Sequence, residues 1–157
     1  GYARASGVPY GMGIIKNKYI GRTFIAPTQK ERENMVFVKL NAIKSDLEGK
    51  RVIVIDDSIV RGTTSRRLVQ ILRRAGAKEV HFRVSSPPVK FPCYLGIDTP
   101  SKNELISSTH ELEEIRKEIG ADSLAFISLE GMIEALRSCK PEADGFCKGC
   151  FSGEYPV

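Results

Sequence analysis

Two adjacent aspartates follow an apolar run in the stretch "VIVIDDSIVRGTTS", residues 52–65. The apolar run before Asp56 and Asp57 predicts a buried strand at 51–55. In open α/β sheets, ligands bind beyond the carboxyl ends of the strands, which is where these acids fall. Carboxylates in that position can accept hydrogen bonds from sugar hydroxyls or hold Mg²⁺. The acids therefore indicate a site for a polyol, a divalent cation or both.

The residues after the acids favour an anion instead. Gly62 lets the backbone come close to a ligand, and the hydroxyls of Ser58, Thr63 and Thr64 can donate hydrogen bonds. A predicted helix starts at Thr63, and the N-terminus of a helix attracts phosphate. No Walker motif is present. A phosphorylated sugar satisfies both halves of the stretch, whereas a purely structural acidic turn with a Thr-capped helix explains only part of it.

Strands and helices alternate around this stretch. The patterning predicts strands at 12–16, 51–55, 79–84 and 123–128. It predicts helices at 35–47, at 63–75, from a capping box of Ser108 and Glu111 to Gly120, and at 129–137. This order indicates an α/β fold with a parallel sheet and crossover helices. The last dozen residues, rich in Gly and Cys, predict an irregular tail.

Length and charge exclude several other classes of protein. The chain of 157 residues fits about one domain, and it contains no apolar run of the ~18 residues that span a bilayer. No secretion signal opens the sequence, so we expect an intracellular protein without a membrane partner. The net charge of +5 does not require nucleic acid, because the densest basic residues lie on one face of a predicted helix.

Four cysteines could bind a metal. Cys147 and Cys150 have the C-x-x-C spacing of metal ligands, with Cys93 and Cys139 elsewhere in the chain. From spacing alone, zinc on four thiolates is the leading interpretation, followed by a redox dithiol and by unrelated buried thiols. The histidines, His81 in a strand and His110 near a helix start, are expected to be structural.

Several motifs resemble a known family. "VIVIDDSIVRGTT" resembles the phosphoribosyl-pyrophosphate (PRPP) motif of type I phosphoribosyltransferases. "KNKYIGRTFIAPTQKERENMVFVKLN" resembles the flexible loop of the glutamine PRPP amidotransferase family, and "GYARASGVPYGMG" and "GFCKGCFSGEYP" match that family too. The resemblance covers nearly the whole chain. It implies an incomplete type I phosphoribosyltransferase-like sheet followed by the cysteine-containing tail.

The resemblance also implies an activity and roles for residues. Family members convert PRPP, glutamine and water to 5-phosphoribosylamine, glutamate and pyrophosphate, the first step of purine biosynthesis. Asp56 and Asp57 would bind the ribose hydroxyls and Mg²⁺. Lys16, Tyr19 and Arg22 would lie on a flexible loop, residues 16–34, that closes over the pyrophosphate, while ammonia attacks the anomeric carbon. The PRPP loop, 52–65, would cradle the 5′-phosphate through Ser58, Ile59, Val60, Arg61, Gly62, Thr63 and Thr64.

One branch of the family carries a structural [4Fe–4S] cluster on four cysteines. Cys93, Cys147 and Cys150 match three of these ligands, the fourth would lie upstream of Gly1, and Cys139 matches none. We therefore expect residues 1–138 to be a partial phosphoribosyltransferase domain and 139–157 a tail with cluster ligands. The glutaminase domain of the family would lie outside the chain, which alone would be inactive.

The resemblance further implies a homotetramer, a cytoplasmic location and feedback inhibition by purine nucleotides. Two other functions stay open from the sequence. One is a regulatory module that senses PRPP without catalysis. The other is an iron–sulfur or zinc structural module, which explains the tail and leaves the opening motif unexplained.

Overall fold

The computed structural model describes residues 1–16, 40–97, 99, 101–142 and 145–156. Its strands are β1 Ile14–Lys16, β2 Leu40–Ala42, β3 Arg51–Asp56, β4 Glu79–Val84 and β5 Ser123–Phe126. Its α-helices are α1 Tyr2–Ser6, α2 Lys44–Leu47, α3 Thr63–Arg74, α4 Ile106–Thr109, α5 Leu112–Ile119, α6 Leu129–Cys139 and α7 Gly149–Ser152. A 3₁₀ helix covers Lys102–Glu104.

The chain divides into two compact units. The first unit comprises Gly1–Val52 and Ile71–Lys78, and the second comprises Ile53–Gln70 and Glu79–Val157. In the first unit β1 and β2 pair antiparallel, with Ile14 opposite Ala42. Leu47 in α2 is buried against Gly13, where an added Cβ would lie only 2.7 Å from the leucine Cδ2. The residue before this antiparallel pair, Gly13, thus packs closely on the helix α2.

The second unit contains a parallel sheet in the order β3-β4-β5. In β4 alternate residues are buried, as expected for a strand with one face toward a core, and Val80 and Phe82 are fully buried. Leu105, Ile115 and Ile119 add to the apolar core of this unit. The sheet confirms the predicted α/β class, and its role is to place the carboxyl end of β3 at the start of the candidate site.

Two sequence predictions of secondary structure are wrong. A helix was expected at 35–47, but Leu40–Ala42 forms a strand because these residues pair with β1. In the described part of that range, only Lys44–Leu47 is helical. The capping box of α5 is formed by Glu111 and Glu114 rather than by Ser108 and Glu111. Ser108 lies in α4, where its hydroxyl donates to backbone carbonyls. The predicted end of α5 at Gly120 is confirmed by a left-handed cap with φ of 76°.

Within the described residues, no helix combines the length and the apolar character needed to cross a membrane. The longest helix in the described part of the chain, α3, has 12 residues.

Candidate functional site

The candidate site begins where β3 ends. Asp56 is the last residue of β3, and Thr63 is the first residue of α3, so the predicted strand, loop and helix are confirmed at this position. The carbonyl oxygen of Asp56 accepts hydrogen bonds from the backbone N–H and the hydroxyl of Ser85, both at 2.9 Å. These two bonds tie the end of β3 to the end of β4 and fix the starting point of the loop.

A cavity of about 300 Å³ lies over this loop. Its walls are formed by Asp56, Asp57, Ser58, Val60, Arg61, Gly62, Thr63, Thr64 and Ser65. The set combines two carboxylates with the hydroxyls and backbone N–H groups at the start of a 12-residue helix. The structure therefore brings into one cavity the two halves of the motif that are predicted to bind a cation or polyol and an anion.

Gly62 is required by the shape of the loop. Its φ of 76° lies in the left-handed region, and an added Cβ would lie 2.7 Å from the Cδ1 atom of Ile106. The backbone N–H of Ile106 also donates to the carbonyl of Val60 at 2.9 Å. The loop is thus packed and hydrogen-bonded to the start of α4.

The two aspartates share one hydrogen-bonded turn. The Asp57 N–H donates to Asp56 Oδ1 at 3.1 Å, and the Ser58 hydroxyl donates to Asp57 Oδ1 at 3.1 Å. Burial raises the pKa of Asp56, and the nearby Asp57 carboxylate raises it further, while the Asp57 N–H lowers it. Removal of water and the like charge both disfavour the ionised form, so a bound cation or hydroxyl donor would stabilise it.

A third carboxylate, on the 3₁₀ helix, contacts the loop. Glu104 Oε1 lies 3.2 Å from both Nε and Nη2 of Arg61. The Ser101 hydroxyl and N–H donate to Glu104 Oε2 at 3.1 and 3.3 Å, which forms a capping box. These bonds lower the pKa of Glu104, with the largest effect from the Ser101 hydroxyl, and so keep the carboxylate charged.

Sequence reasoning missed two contributors to the site. Glu104 is separated from Arg61 by 43 residues, and no local pattern predicts that contact. Ser65, which is 2% exposed, lines the cavity beyond the residues expected to bind. Conversely, Ile59 does not line the cavity, because its side chain is 1% exposed and belongs to the core. The backbone of Ile59 is part of the loop, and its buried side chain packs in the core.

The residues expected to meet pyrophosphate are only partly described. Lys16 is the last residue of β1 and is exposed. Tyr19 and Arg22 lie outside the described residues, as does the rest of the predicted flexible loop from residue 17 to 34.

The cysteine tail is attached to the segment after β4. The Cys150 carbonyl accepts the N–H groups of Lys90 and Phe91 at 3.0 and 3.1 Å. The Tyr155 hydroxyl donates to the carbonyl of Pro92, and its ring packs on Gly149 so closely that a Cβ there would overlap it. The tail is therefore held by specific contacts. It also contains the short helix α7, where the sequence predicted only irregular structure.

Two of the other cysteines affect the charge state of Cys150. Burial raises the pKa of Cys150, and the charges of Cys93 and Cys147 raise it further. Backbone N–H groups, those of Ile97 and Leu95 first, lower the pKa of the Cys93 thiol. Cys139 is the last residue of α6 and is exposed.

The described residues do not form a zinc site of four thiolates. Among the residues that the structure describes, which include all four cysteines, no three Cys, His, Asp or Glu side chains are grouped so as to hold a metal ion. The histidines lie elsewhere: His81 is 2.9 Å from both Ser123 Oγ and Glu79 Oε2, and His110 is 2.8 Å from Thr109. Neither histidine lines the cavity.

Comparison with known proteins gives consistent matches. The profile described as "Phosphoribosyl transferase domain" matches residues 3–88, more than half of the chain. The amidophosphoribosyltransferase of Methanothermobacter thermautotrophicus is 58% identical over 158 aligned residues, covering 100% of the chain and 32% of the relative. That of Bacillus subtilis is 56% identical, covering 100% of the chain and 33% of the relative. The chain thus spans about a third of the length of these curated relatives.

Two solved structures match almost the whole chain. One, described as the allosteric regulatory enzyme of purine biosynthesis, has a TM-score of 0.84 and 53% identity. The other, the glutamine PRPP amidotransferase of B. subtilis in complex with ADP and GMP, has a TM-score of 0.85 and 54% identity. Each match covers 99% of this chain and 34% of the solved chain.

Proposed function

The chain belongs to the phosphoribosyl transferase domain family, and on that premise we propose that it is the PRPP-binding part of an amidophosphoribosyltransferase. The activity proposed is conversion of PRPP, glutamine and water to 5-phosphoribosylamine, glutamate and pyrophosphate. One observation carries the proposal: Asp56 and Asp57 line the same cavity as the part of the PRPP loop that is predicted to bind phosphate and ends at Thr64. A ligand with a diol and a phosphate fits both parts.

The loop is suited to the 5′-phosphate of PRPP. The backbone and hydroxyls from Ser58 to Thr64 lie at the N-terminus of α3, where N–H groups without helical partners attract an anion. This phosphate does not react, so the loop binds ground state and transition state alike. Its contribution is to place the anomeric carbon of the ribose relative to the incoming ammonia.

The acid pair is suited to the ribose hydroxyls and to Mg²⁺. Mg²⁺ in proteins is commonly held by one or two carboxylates together with substrate phosphate oxygens and water, so two carboxylates suffice here. The raised pKa of Asp56, due mainly to burial, fits a group that gains a partner on binding. When bound, Mg²⁺ would neutralise charge on the pyrophosphate.

The reaction needs no nucleophile from the protein. As ammonia forms the new C–N bond at the anomeric carbon, the C–O bond to pyrophosphate breaks and pyrophosphate leaves with the electron pair. The nitrogen then loses a proton. The work of the protein is to position the reactants, stabilise charge and exclude water. Lys16, Tyr19 and Arg22 are proposed to meet the leaving pyrophosphate, with a guanidinium suited to two of its oxygens.

We further propose a [4Fe–4S] cluster on Cys93, Cys147 and Cys150 with a fourth ligand from outside the chain. Cluster thiolates bind different iron atoms, so they do not need to converge on one ion. The charges of Cys93 and Cys147 act on Cys150, and the Cys150 carbonyl is fixed by hydrogen bonds from Lys90 and Phe91; both observations support this assignment. In this scheme residues 1–138 form the partial transferase domain and 139–157 the ligand-bearing tail.

The remaining features that we propose for the complete protein rest on its resemblance to the family. We propose a cytoplasmic homotetramer that is inhibited by purine nucleotides; the relative from B. subtilis has been solved with ADP and GMP. None of the four cysteines, all within the described residues, forms a disulfide, which fits a reducing compartment. A regulatory module that binds PRPP without turning it over is the alternative.

Calorimetric titration of the full-length protein with PRPP, with and without Mg²⁺, tests the proposal. We expect saturable binding that Mg²⁺ strengthens, and ammonia-supported formation of pyrophosphate. Binding without any turnover would favour the regulatory module, and absence of binding would refute both functions.

A further inference from the structure

We propose that Glu104 is a positioning residue for PRPP binding. It holds Arg61 of the PRPP loop away from the acid pair, Asp56 and Asp57. This inference rests on the proposed function. It concerns a residue on the 3₁₀ helix Lys102–Glu104, which is not one of the residues lining the cavity.

The carboxylate of Glu104 is fixed at both oxygens. Oε2 accepts two hydrogen bonds from Ser101, from the hydroxyl at 3.1 Å and from the N–H at 3.3 Å. Oε1 faces the guanidinium of Arg61, with Nε and Nη2 each at 3.2 Å. One oxygen thus orients the carboxylate on its own helix, and the other is left to orient the arginine.

The segment that carries Glu104 is itself anchored. Leu105 is fully buried, and the Ser108 hydroxyl donates to the carbonyls of Lys102 and Leu105. The Lys102 ammonium lies over the ring of Phe91, 5.2 Å from its centre. Because its neighbours are held in these ways, Glu104 keeps its own position and can therefore fix the position of the Arg61 side chain.

The same segment contacts three successive residues of the loop. Ile106 donates its N–H to the carbonyl of Val60 and packs on Gly62, while Glu104 holds Arg61 between them. The backbone contacts fix the path of the loop, but they do not constrain the long side chain of Arg61. The ion pair with Glu104 supplies that constraint.

The need for such a constraint comes from the charges in the cavity. Arg61 lines the same cavity as Asp56 and Asp57. A guanidinium released from Glu104 would be attracted to those two carboxylates, and carboxylates are its preferred bidentate partners. It would then compete with the ribose hydroxyls and Mg²⁺ for the acid pair. Glu104 offers Arg61 another carboxylate and so leaves the pair available.

The predicted kinetic effect is on KM and not on kcat. Glu104 controls access of PRPP to its site and touches no reacting atom, and a change in such ground-state binding raises KM with kcat unchanged. Both partners of the ion pair are about half exposed, which limits the effect to about a two- to fivefold increase in KM for PRPP.

The test uses the full-length protein with ammonia as nitrogen donor, so that the glutaminase reaction does not contribute. Glu104→Ala is expected to raise KM for PRPP about two- to fivefold with kcat unchanged. Glu104→Gln, which keeps the size and the acceptor oxygen, is expected to show a smaller change of the same kind. Glu113→Gln is the matched control, because Glu113 also pairs with an arginine, Arg116, at 2.8 Å but on α5.

A double-mutant cycle with Arg61→Ala gives the decisive readout. If Glu104 acts by restraining Arg61, Glu104→Ala has no further effect on KM once Arg61 is removed. An equal effect in both backgrounds, or an unchanged KM in both Glu104 variants of an active enzyme, would overturn the inference. A wild-type protein that does not bind PRPP would instead refute the proposed function. Glu104→Gln keeps the test valid even if the alanine variant does not fold.

Discussion

Gly62 packs directly on Ile106, since a Cβ at position 62 would lie 2.7 Å from the isoleucine Cδ1. The contact joins the loop between β3 and α3 to the first turn of α4. It explains why the phosphate-type loop has a glycine at this point, for two independent reasons. The backbone there has a φ of 76°, and no side chain fits in the space beside it.

The first prediction concerns this glycine. Gly62→Ala should reduce the free energy of unfolding by more than the ~1–2 kcal/mol that a left-handed backbone costs a residue with a side chain, because the contact with Ile106 adds a steric term. PRPP binding should be lost as well. Chemical denaturation and calorimetric titration measure the two effects.

Gly49→Ala is the matched control for that prediction. Gly49 has a similar φ of 72°, but an added Cβ would meet nothing within 4 Å. It should show the backbone penalty alone and keep PRPP binding. Equal destabilisation by the two substitutions would contradict the steric account of Gly62.

The second prediction concerns the stability of the unliganded site. Because burial raises the pKa of Asp56, the native state binds a proton more tightly than the unfolded chain does. The free energy of unfolding must then fall as the pH rises from the ordinary carboxyl pKa to the raised one. Asp56→Asn removes this penalty and keeps an oxygen for the Asp57 N–H. At pH 7, without Mg²⁺ or PRPP, its Tm should exceed the wild-type value by about 1–2 °C.

The difference in Tm arises from the charge of Asp56. It should therefore shrink toward zero near pH 3, where the wild-type Asp56 is protonated and neutral like the asparagine of the variant. Thermal melts from pH 3 to 7 check it. A wild-type protein that is more stable than Asp56→Asn at pH 7 would show that the carboxylate is stabilised before any ligand binds.

The third prediction concerns the cysteine tail. Full-length protein prepared without oxygen should be brown, with an iron-to-sulfide ratio of about one. Cys147→Ser should lose most of the iron. Cys139→Ser, which changes an exposed thiol at the end of α6, should retain it. Metal analysis and the visible spectrum provide the measurements, and a colourless zinc protein would refute the cluster.

Local features of the fold could be predicted from the sequence because their causes are local. The apolar run before Asp56 and the helix from Thr63 are in the expected places, and the predicted strand at 79–84 is confirmed as β4. Gly76, which follows α3, has a φ of 93°, and glycine is the residue that adopts this left-handed conformation most readily at the end of a helix. These elements depend on short patterns of apolar residues, caps and glycines.

Features that depend on distant residues could not be predicted in that way. Leu40 has helical spacing with its neighbours, but its pairing opposite Lys16 makes it part of a strand. Ser108 was predicted to cap α5, but it lies within the preceding helix α4, and Glu111 caps α5 instead. The contact of Glu104 with Arg61 depends on a turn that brings together residues far apart in sequence.

The central claim is that the cavity at the end of β3 is the PRPP site, and Asp57→Asn tests it most directly. This substitution removes one charge but leaves an oxygen for the Ser58 hydroxyl. Asp46→Asn, at an exposed position in α2, is the control. In the full-length protein, Asp57→Asn should abolish PRPP-dependent, ammonia-supported formation of pyrophosphate, and Asp46→Asn should leave it unchanged. Wild-type turnover by a folded Asp57→Asn protein would contradict the account.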